Sequence, residues 1–139
     1  MGLRETIFGL AQIYRGHIKT AVNANELGLN GMHVRCLHII ANQSHCTANA
    51  LVQLLGKDKA QIARLVKDMI EKGWLVKQAS PSDKRSQILT LSGSGLALLQ
   101  KISQLEKEIE ASLLAGLSSQ DVADFKRIAG LMLNNLAAS

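Results

Sequence analysis

Basic and amide side chains are concentrated between residues 57 and 85, where they could bind an anionic partner. This segment holds eight basic and four acidic residues, so most of the +5 net charge of the 139-residue chain lies within it. A solvated helix face more often mixes its signs evenly, and the concentration of charge therefore favours an anionic partner. Guanidinium, ammonium and amide groups donate hydrogen bonds to phosphates and to the edges of nucleic-acid bases.

A first group of candidate contacts lies between Thr47 and Lys67. Gln61 can bond an adenine edge through two atoms, and Arg64 can do the same with guanine. Other polar side chains of the group suit phosphate oxygens, which position a protein on DNA without reading its sequence. The candidate DNA-contacting residues of this group are Thr47, Asn49, Lys59, Ala60, Gln61, Arg64 and Lys67. The alternative interpretation is that they are ordinary solvated side chains.

A second group consists of Asp83, Lys84 and Arg85, which lie in a turn-rich stretch of the chain. An arginine at the tip of a hairpin can insert into a narrow, electronegative minor groove. The carboxylate of Asp83 can hold the Arg85 guanidinium in place through charge-assisted hydrogen bonds. The alternative is a surface ion pair that contributes little to stability, and we favour the DNA-contacting role.

Two short helices joined by a tight turn are predicted to position the first group. Thr47 is a good N-cap for the first helix, which ends at Gly56. Asp58 opens the second helix, and Gly73 stops it. This order is the sequence form of a helix-turn-helix. Apolar side chains are expected to pack between the two helices, with Leu51, Leu54 and Leu55 against Ile62, Leu65 and Val66.

A β-hairpin is predicted to position the second group. Residues 74–79 and 87–91 have strand composition, and the residues between them form a basic, turn-rich tip. A hairpin directly after a helix-turn-helix is a wing. The predicted fold is therefore mainly α with a small β-hairpin wing, and residues 30–91 are expected to form a winged helix-turn-helix DNA-binding domain.

Residues 1–29 and 92–139 are predicted to supply dimerisation helices. Apolar residues recur there every three or four positions, from Ile7 to Ala21 and from Leu99 to Leu136. These helices carry more apolar surface than one small winged domain can cover. We favour pairing with a second copy as a homodimer, because two-fold symmetry doubles the DNA site. An intramolecular bundle is the alternative.

Four short motifs follow one another along the chain: Leu27-Gly28-Leu29-Asn30, Glu71-Lys72-Gly73-Trp74, Asp83-Lys84-Arg85 and Leu91-Ser92-Gly93-Ser94-Gly95. Their order and spacing resemble the MarR family of bacterial transcriptional regulators over essentially the whole chain. The resemblance implies a triangular homodimer, a repressor that binds pseudo-palindromic operators, with its terminal helices at the dimer interface. By matching position, residues 58–72 would form the recognition helix, Arg85 would enter the minor groove and Asp83 would brace it.

The resemblance also implies that a small anionic or phenolic ligand, an oxidant or a metal releases the DNA. The ligand would lie between the dimerisation helices and the winged domain, near Tyr14, Arg15, His17 and His38. The chain departs from the family pattern at Ala60, Gln61 and Ala63, where many members have small hydroxyl residues that touch DNA. Base preferences therefore do not transfer from the family.

A thiol-based redox-sensing regulator and a metal-sensing regulator of the same fold are alternatives. Cys46 directly precedes a helix start, where the helix dipole would favour a reactive thiolate, so it is the candidate redox residue. Cys36 lies on the apolar side of its helix and is expected to be buried. Three histidines lie near these cysteines, yet they form no closed ligand set, so neither a metal site nor a cofactor is predicted.

Several function classes are not expected. The sequence has no nucleophile elbow, P-loop or dinucleotide-binding fingerprint, which argues against an enzyme. Arg4 and Glu5 interrupt any apolar run at the start, so no signal peptide is predicted. No apolar stretch has the length of a membrane span, and a cytoplasmic protein is expected. A winged helix used for protein assembly without DNA binding remains the further alternative.

Overall fold

A computed structural model of the chain describes residues 1–23, 27–83 and 85–137. Within these ranges the chain forms six principal helices and one two-stranded sheet, which confirms the predicted fold class. The elements are α1 (Leu3–Ala21), α2 (Gly31–Asn42), α3 (Ala48–Leu55), α4 (Lys59–Glu71), β1 (Leu75–Ala79), β2 (Gln87–Leu91), α5 (Gly93–Leu113) and α6 (Ser119–Ala137).

Local side-chain chemistry sets the ends of the short helices. The Thr47 hydroxyl accepts a hydrogen bond from the backbone N–H of Ala50 at 3.2 Å, which caps α3. Gly56 ends α3 in the left-handed conformation at φ 66°, where a side chain would be strained. The side chain of Asp58 then accepts from the N–H of Gln61 and opens α4. The predicted helix-turn-helix boundaries are thereby confirmed.

The two strands pair antiparallel as a hairpin, with Leu75 opposite Leu91 and Ala79 opposite Gln87. The predicted first strand began one residue earlier, at Trp74. In the structure Trp74 instead closes the end of α4, because its N–H donates to the carbonyl of Met69 at 2.9 Å. The wing is therefore tied directly to the last turn of the helix before it.

An aliphatic core lies beneath α2, α3, α4, the hairpin and the first half of α5. Its fully buried side chains include Leu37, Leu51, Ile62, Met69, Leu89 and Ile102. One predicted core residue is wrong: Leu54 is 48% exposed, because Leu51 and Leu55 occupy the inward face of the short α3. We call the part of the chain from α2 to the middle of α5 the winged segment. Burial of this apolar surface is the main contribution to its stability.

The start of α5 packs directly on the backbone that leads into the wing. A Cβ atom built on Gly95 would overlap the carbonyl oxygen of Trp74 and lie 2.9 Å from its carbonyl carbon. The Ser92 hydroxyl donates to the carbonyl of Gly73 and accepts from the N–H of Gly95 at 3.0 Å. This contact gives the Ser92-to-Gly95 spacing a structural reason.

The chain divides into two compact units, Met1–Glu106 and Lys107–Ser139, with the boundary inside α5. In the first unit, α1 contains no buried residue, and Ile13 is 62% exposed. In the second unit, α6 contains no buried residue, and Leu133 is 70% exposed. No helix among the described residues is both long and apolar enough to cross a membrane. The predicted domain boundaries at residues 30 and 91 stay predictions.

Candidate nucleic-acid interface

Helix α4 has a buried face and a polar face. Ile62, Val66 and Met69 are at most 2% exposed and anchor the helix on the core. The opposite face consists of exposed side chains, those of Lys59, Ala60, Gln61, Arg64 and Lys67. This arrangement confirms the predicted orientation of the helix, and the predicted base and phosphate contacts of these residues remain predictions.

Gln61 has a second role that the sequence analysis missed. Its Oε1 accepts a hydrogen bond from the backbone N–H of Asp58 at 3.2 Å, while Asp58 Oδ1 accepts from the N–H of Gln61 at 2.8 Å. This reciprocal pair is a capping box, and the Asp58-x-x-Gln61 spacing could have revealed it. A bond to adenine through both amide atoms would first require Oε1 to leave Asp58.

Helix α3 presents its first turn on the surface of the helix-turn-helix. The Thr47 oxygen accepts the capping bond, so its hydroxyl hydrogen can still be donated to a phosphate. Asn49 lies two residues further on and is exposed. Both side chains are compatible with the predicted backbone contacts.

In the wing tip, the Asp83 carboxylate binds a backbone N–H and a serine hydroxyl. Asp83 Oδ1 accepts from the backbone N–H of Arg85 at 2.9 Å, and its Oδ2 accepts from the Ser86 hydroxyl at 3.3 Å. The described residues show no ion pair between Asp83 and the Arg85 guanidinium, and the predicted role of Asp83 in holding that guanidinium against DNA stays a prediction. A short Asp side chain reaches a backbone N–H two residues on more readily, and this Asx turn orders the tip. Lys84 lies outside the described residues.

A cavity of about 400 Å³ lies between α1 and the start of α2. Two cationic side chains line it together with apolar and backbone groups. The lining residues are Arg15, Ile18, Lys19, Val22, Gly28, Leu29, Asn30, Gly31 and Val34.

The structure brings one of the four predicted ligand residues to this cavity. Arg15 lines it, because Arg15, Ile18 and Lys19 share one face of α1. His17 projects from another side of the helix and is exposed. His38 lies one turn beyond the cavity on α2, where its Nε2 is 2.8 Å from Glu106 Oε1. Neither these two residues nor Tyr14 belongs to the described lining of this cavity, and the predicted ligand contacts of all four residues remain predictions.

The premise of the redox prediction for Cys46 is not met. Its side chain is 2% exposed, and burial raises the pKa of the thiol. A sensor thiol needs exposure and a lowered pKa. Cys36 is fully buried as predicted, and burial together with nearby Cys46 raises its pKa to about 12. The described residues contain no group of three or more potential ligands placed to hold a metal ion.

His33 is the one buried polar side chain of the described residues, and the sequence analysis gave it no role. Its Nδ1 accepts from the N–H of Asn30 at 3.0 Å, and its Nε2 lies 2.9 Å from Asp68 Oδ2. Burial lowers the pKa of the imidazole, which favours the neutral ring. The hydrogen bond from Lys72 to Asp68, 2.7 Å long, is the main cause of the lowered pKa of that carboxyl.

The capped pair α3 and α4, followed by a hairpin with an ordered tip, defines a winged helix-turn-helix. Residues 27–86 match the family model described as the MarR family. The winged helix-turn-helix segment of this chain is therefore similar to that family.

Two curated proteins share part of the sequence. One, from Thauera aromatica, has a name that links it to transcriptional regulation of the hcr operon, and it is 31% identical over 94 residues. The other is the HTH-type transcriptional regulator PetP of Rhodobacter capsulatus, which is 24% identical over 102 residues. These matches cover 68% and 73% of this chain, and the chain spans 54% and 61% of the two relatives' lengths.

Solved structures of other proteins share the fold. A MepR–DNA complex from S. aureus has a TM-score of 0.83 at 15% identity, covering 97% of this chain and 96% of that one. A mutant of MarR from E. coli, complexed with operator DNA, has a TM-score of 0.79 at 21% identity, covering 94% and 93%. At these identities the likeness concerns the fold alone.

Proposed function

We propose that this chain is a DNA-binding transcription regulator without catalytic activity. Helix α4 enters the major groove, and the wing tip with Arg85 contacts the adjacent minor groove. The observation that carries the proposal is the exposed face of α4, on which Lys59, Arg64 and Lys67 lie opposite a fully buried apolar face. The two DNA-bound structures that share this fold add support.

In this proposal the chain is a repressor that binds a pseudo-palindromic operator as a homodimer. Helices α1 and α6 each have large apolar side chains that their own unit leaves exposed, such as Phe8 at 61% and Phe125 at 58%. Contiguous apolar surface of this kind typically marks a protein interface. A second copy is the occupant that a two-fold-symmetric DNA site requires. Size-exclusion chromatography with light scattering measures the oligomeric state directly.

A small organic anion or phenol regulates DNA binding in the same proposal. The guanidinium of Arg15 and the ammonium of Lys19 supply positive charge beside Ile18 and Val22, which suits an aromatic ring that carries a carboxylate. Salicylate is the probe of choice because it combines both groups. It should lower the DNA affinity of the wild-type protein and not that of the Arg15→Ala variant.

The DNA-binding proposal is tested by selecting bound duplexes from a random pool and measuring affinity by fluorescence anisotropy. We expect an enriched palindrome and roughly a thousandfold loss of affinity between about 50 and 200 mM salt, because phosphate contacts release counterions. A winged helix used for protein assembly alone would show no such salt dependence. Lys101→Ala is a matched control, since Lys101 is an exposed cation on α5, outside the proposed interface.

A further inference from the structure

The imidazole of His33 connects two parts of the molecule through both of its nitrogens. Nδ1 accepts the N–H of Asn30 and therefore carries no proton, so the proton of the neutral ring lies on Nε2. Nε2 then donates to Asp68 Oδ2 at 2.9 Å. The side chain of Asn30 in turn accepts the N–H of His33 at 3.0 Å, which completes the capping box at the start of α2.

The two ends of this connection lie at functionally different places. Asn30 lines the cavity, together with Gly28 and Gly31. Asp68 lies on α4, four residues after Arg64 and next to Lys67, and it also holds the ammonium of Lys72 at 2.7 Å. The Lys72 side chain runs back over Gly28, where an added Cβ would come within 3.0 Å of its Cε. The cavity wall therefore contacts the last turns of α4 along two routes.

The ring has little freedom to move without changing these contacts. Only 3% of the residue is exposed, and the ring forms a T-shaped pair with Trp74, with ring centroids 5.4 Å apart and an angle of 78° between the ring planes. A rotation that released either nitrogen would leave a buried polar atom without its partner, which is unfavourable. A displacement at Asn30 is therefore passed to Asp68 more readily than it is absorbed by the ring.

We propose that His33 is the positioning residue that couples the wall of the cavity to the recognition helix α4. A movement of Asn30 carries the imidazole with it, and the Nε2–Asp68 bond shifts α4 relative to the bound DNA. The inference rests on the proposed DNA-binding function and supplies the route between its two sites. It assigns His33 a role in DNA binding although the side chain is too deeply buried to touch DNA.

A double-mutant cycle tests this coupling. Asn30→Ala disturbs the cavity wall, and His33→Phe keeps an aromatic ring on Trp74 while removing both nitrogen bonds. We expect Asn30→Ala to lower DNA affinity about fivefold or more in the wild-type background and less than about twofold in the His33→Phe background. An equal effect of Asn30→Ala in both backgrounds would overturn the proposal.

Two further variants separate positioning from simple loss of stability. His33→Gln retains an acceptor and a donor, so it should restore the effect of Asn30→Ala on DNA affinity. Asp68→Ala removes the far end of the connection from a side chain that is 40% exposed, and it should uncouple Asn30 as His33→Phe does. Asp124→Ala, which removes an exposed ion pair on α6, is the control and should leave the coupling intact. Failure of both His33→Gln and Asp68→Ala to behave in this way would overturn the proposal.

Hydrogen exchange of the α4 amides without DNA provides a readout that does not need the proposed function. Asn30→Ala should accelerate exchange in residues 66–72 when His33 is present and should have no such effect in the His33→Phe background. If the wild-type protein fails to bind any selected DNA, the proposed function is wrong, and this exchange measurement still decides the coupling. Equal acceleration in both backgrounds would count against it.

Discussion

The winged segment and the two outer helices differ in where their apolar side chains lie. From α2 to the middle of α5, side chains such as Leu37, Ile62 and Ile102 are completely buried within one chain. In α1 and α6, each taken within its own unit, no residue is buried at all. The first region therefore has a core of its own, whereas the apolar residues of α1 and α6 lie exposed and form the surface that the proposed homodimer would cover.

The largest expected effect comes from breaking the packing of the winged segment. Gly95→Ala places a Cβ on the Trp74 carbonyl, and backbone on both sides prevents easy relief. We expect the free energy of unfolding to fall by about 3 kcal/mol, as overpacking against a rigid neighbour does. Gly93→Ala is the matched control, because a Cβ there would meet nothing within 4 Å. Urea unfolding measures the stability of both variants. Equal unfolding midpoints for the two variants would contradict the proposed overlap with the Trp74 carbonyl.

A second prediction concerns the outer helices α1 and α6, where a substitution disrupts the proposed dimer interface and leaves the winged segment intact. Leu133→Asp puts a charge on the exposed apolar face of α6, where the residue is 70% exposed. We expect dimer dissociation to increase by roughly thirtyfold, since burying an unpaired carboxylate costs about 2 kcal/mol or more. Light scattering over a concentration series tests this. Leu54→Asp serves as the control, because that side chain is 48% exposed on α3 and should leave the dimer unchanged.

A third prediction concerns the polar face of the winged segment. Arg64→Ala should weaken operator binding by roughly 10- to 100-fold, which corresponds to the loss of one bidentate base contact. Arg85→Ala should weaken binding less and leave the dimer intact, because a wing contact reads groove shape. Anisotropy titrations give both values. Undiminished affinity in both variants would refute the assigned interface.

Acid should give the smallest effect, confined to the winged segment. The pKa of His33 is lowered from 6.5 by burial, so the unfolded chain takes up a proton at a higher pH than the folded chain does. Stability is then complete above about pH 6.5 and decreases as the pH falls below that value. Urea unfolding at pH 7 and pH 5 measures the change. His33→Gln should remove most of this loss, and an identical pH dependence in that variant would exclude His33 as its source.

Local signals predicted most of the winged segment. Thr47, Gly56 and Asp58 determine helix ends through bonds to residues at most four positions away, so their spacing alone was informative. The bond between His33 and Asp68 spans 35 residues, and no periodicity indicates it. The lining of the cavity was hard to predict for a related reason, because the helical repeat places Arg15 and His17 on different faces of α1 although they are two residues apart.

In the proposed DNA interface, the capping box at the start of α4 limits how the base preference can change. A variant at Gln61 that alters base preference also loses the bond to the Asp58 N–H unless the new residue is Glu. Ala60 and Ala63 are exposed and make no side-chain hydrogen bond, so they can vary without disturbing the helix start. The proposed interface therefore predicts that divergence towards new operators proceeds through these two alanines, with Gln61 the slower position to evolve.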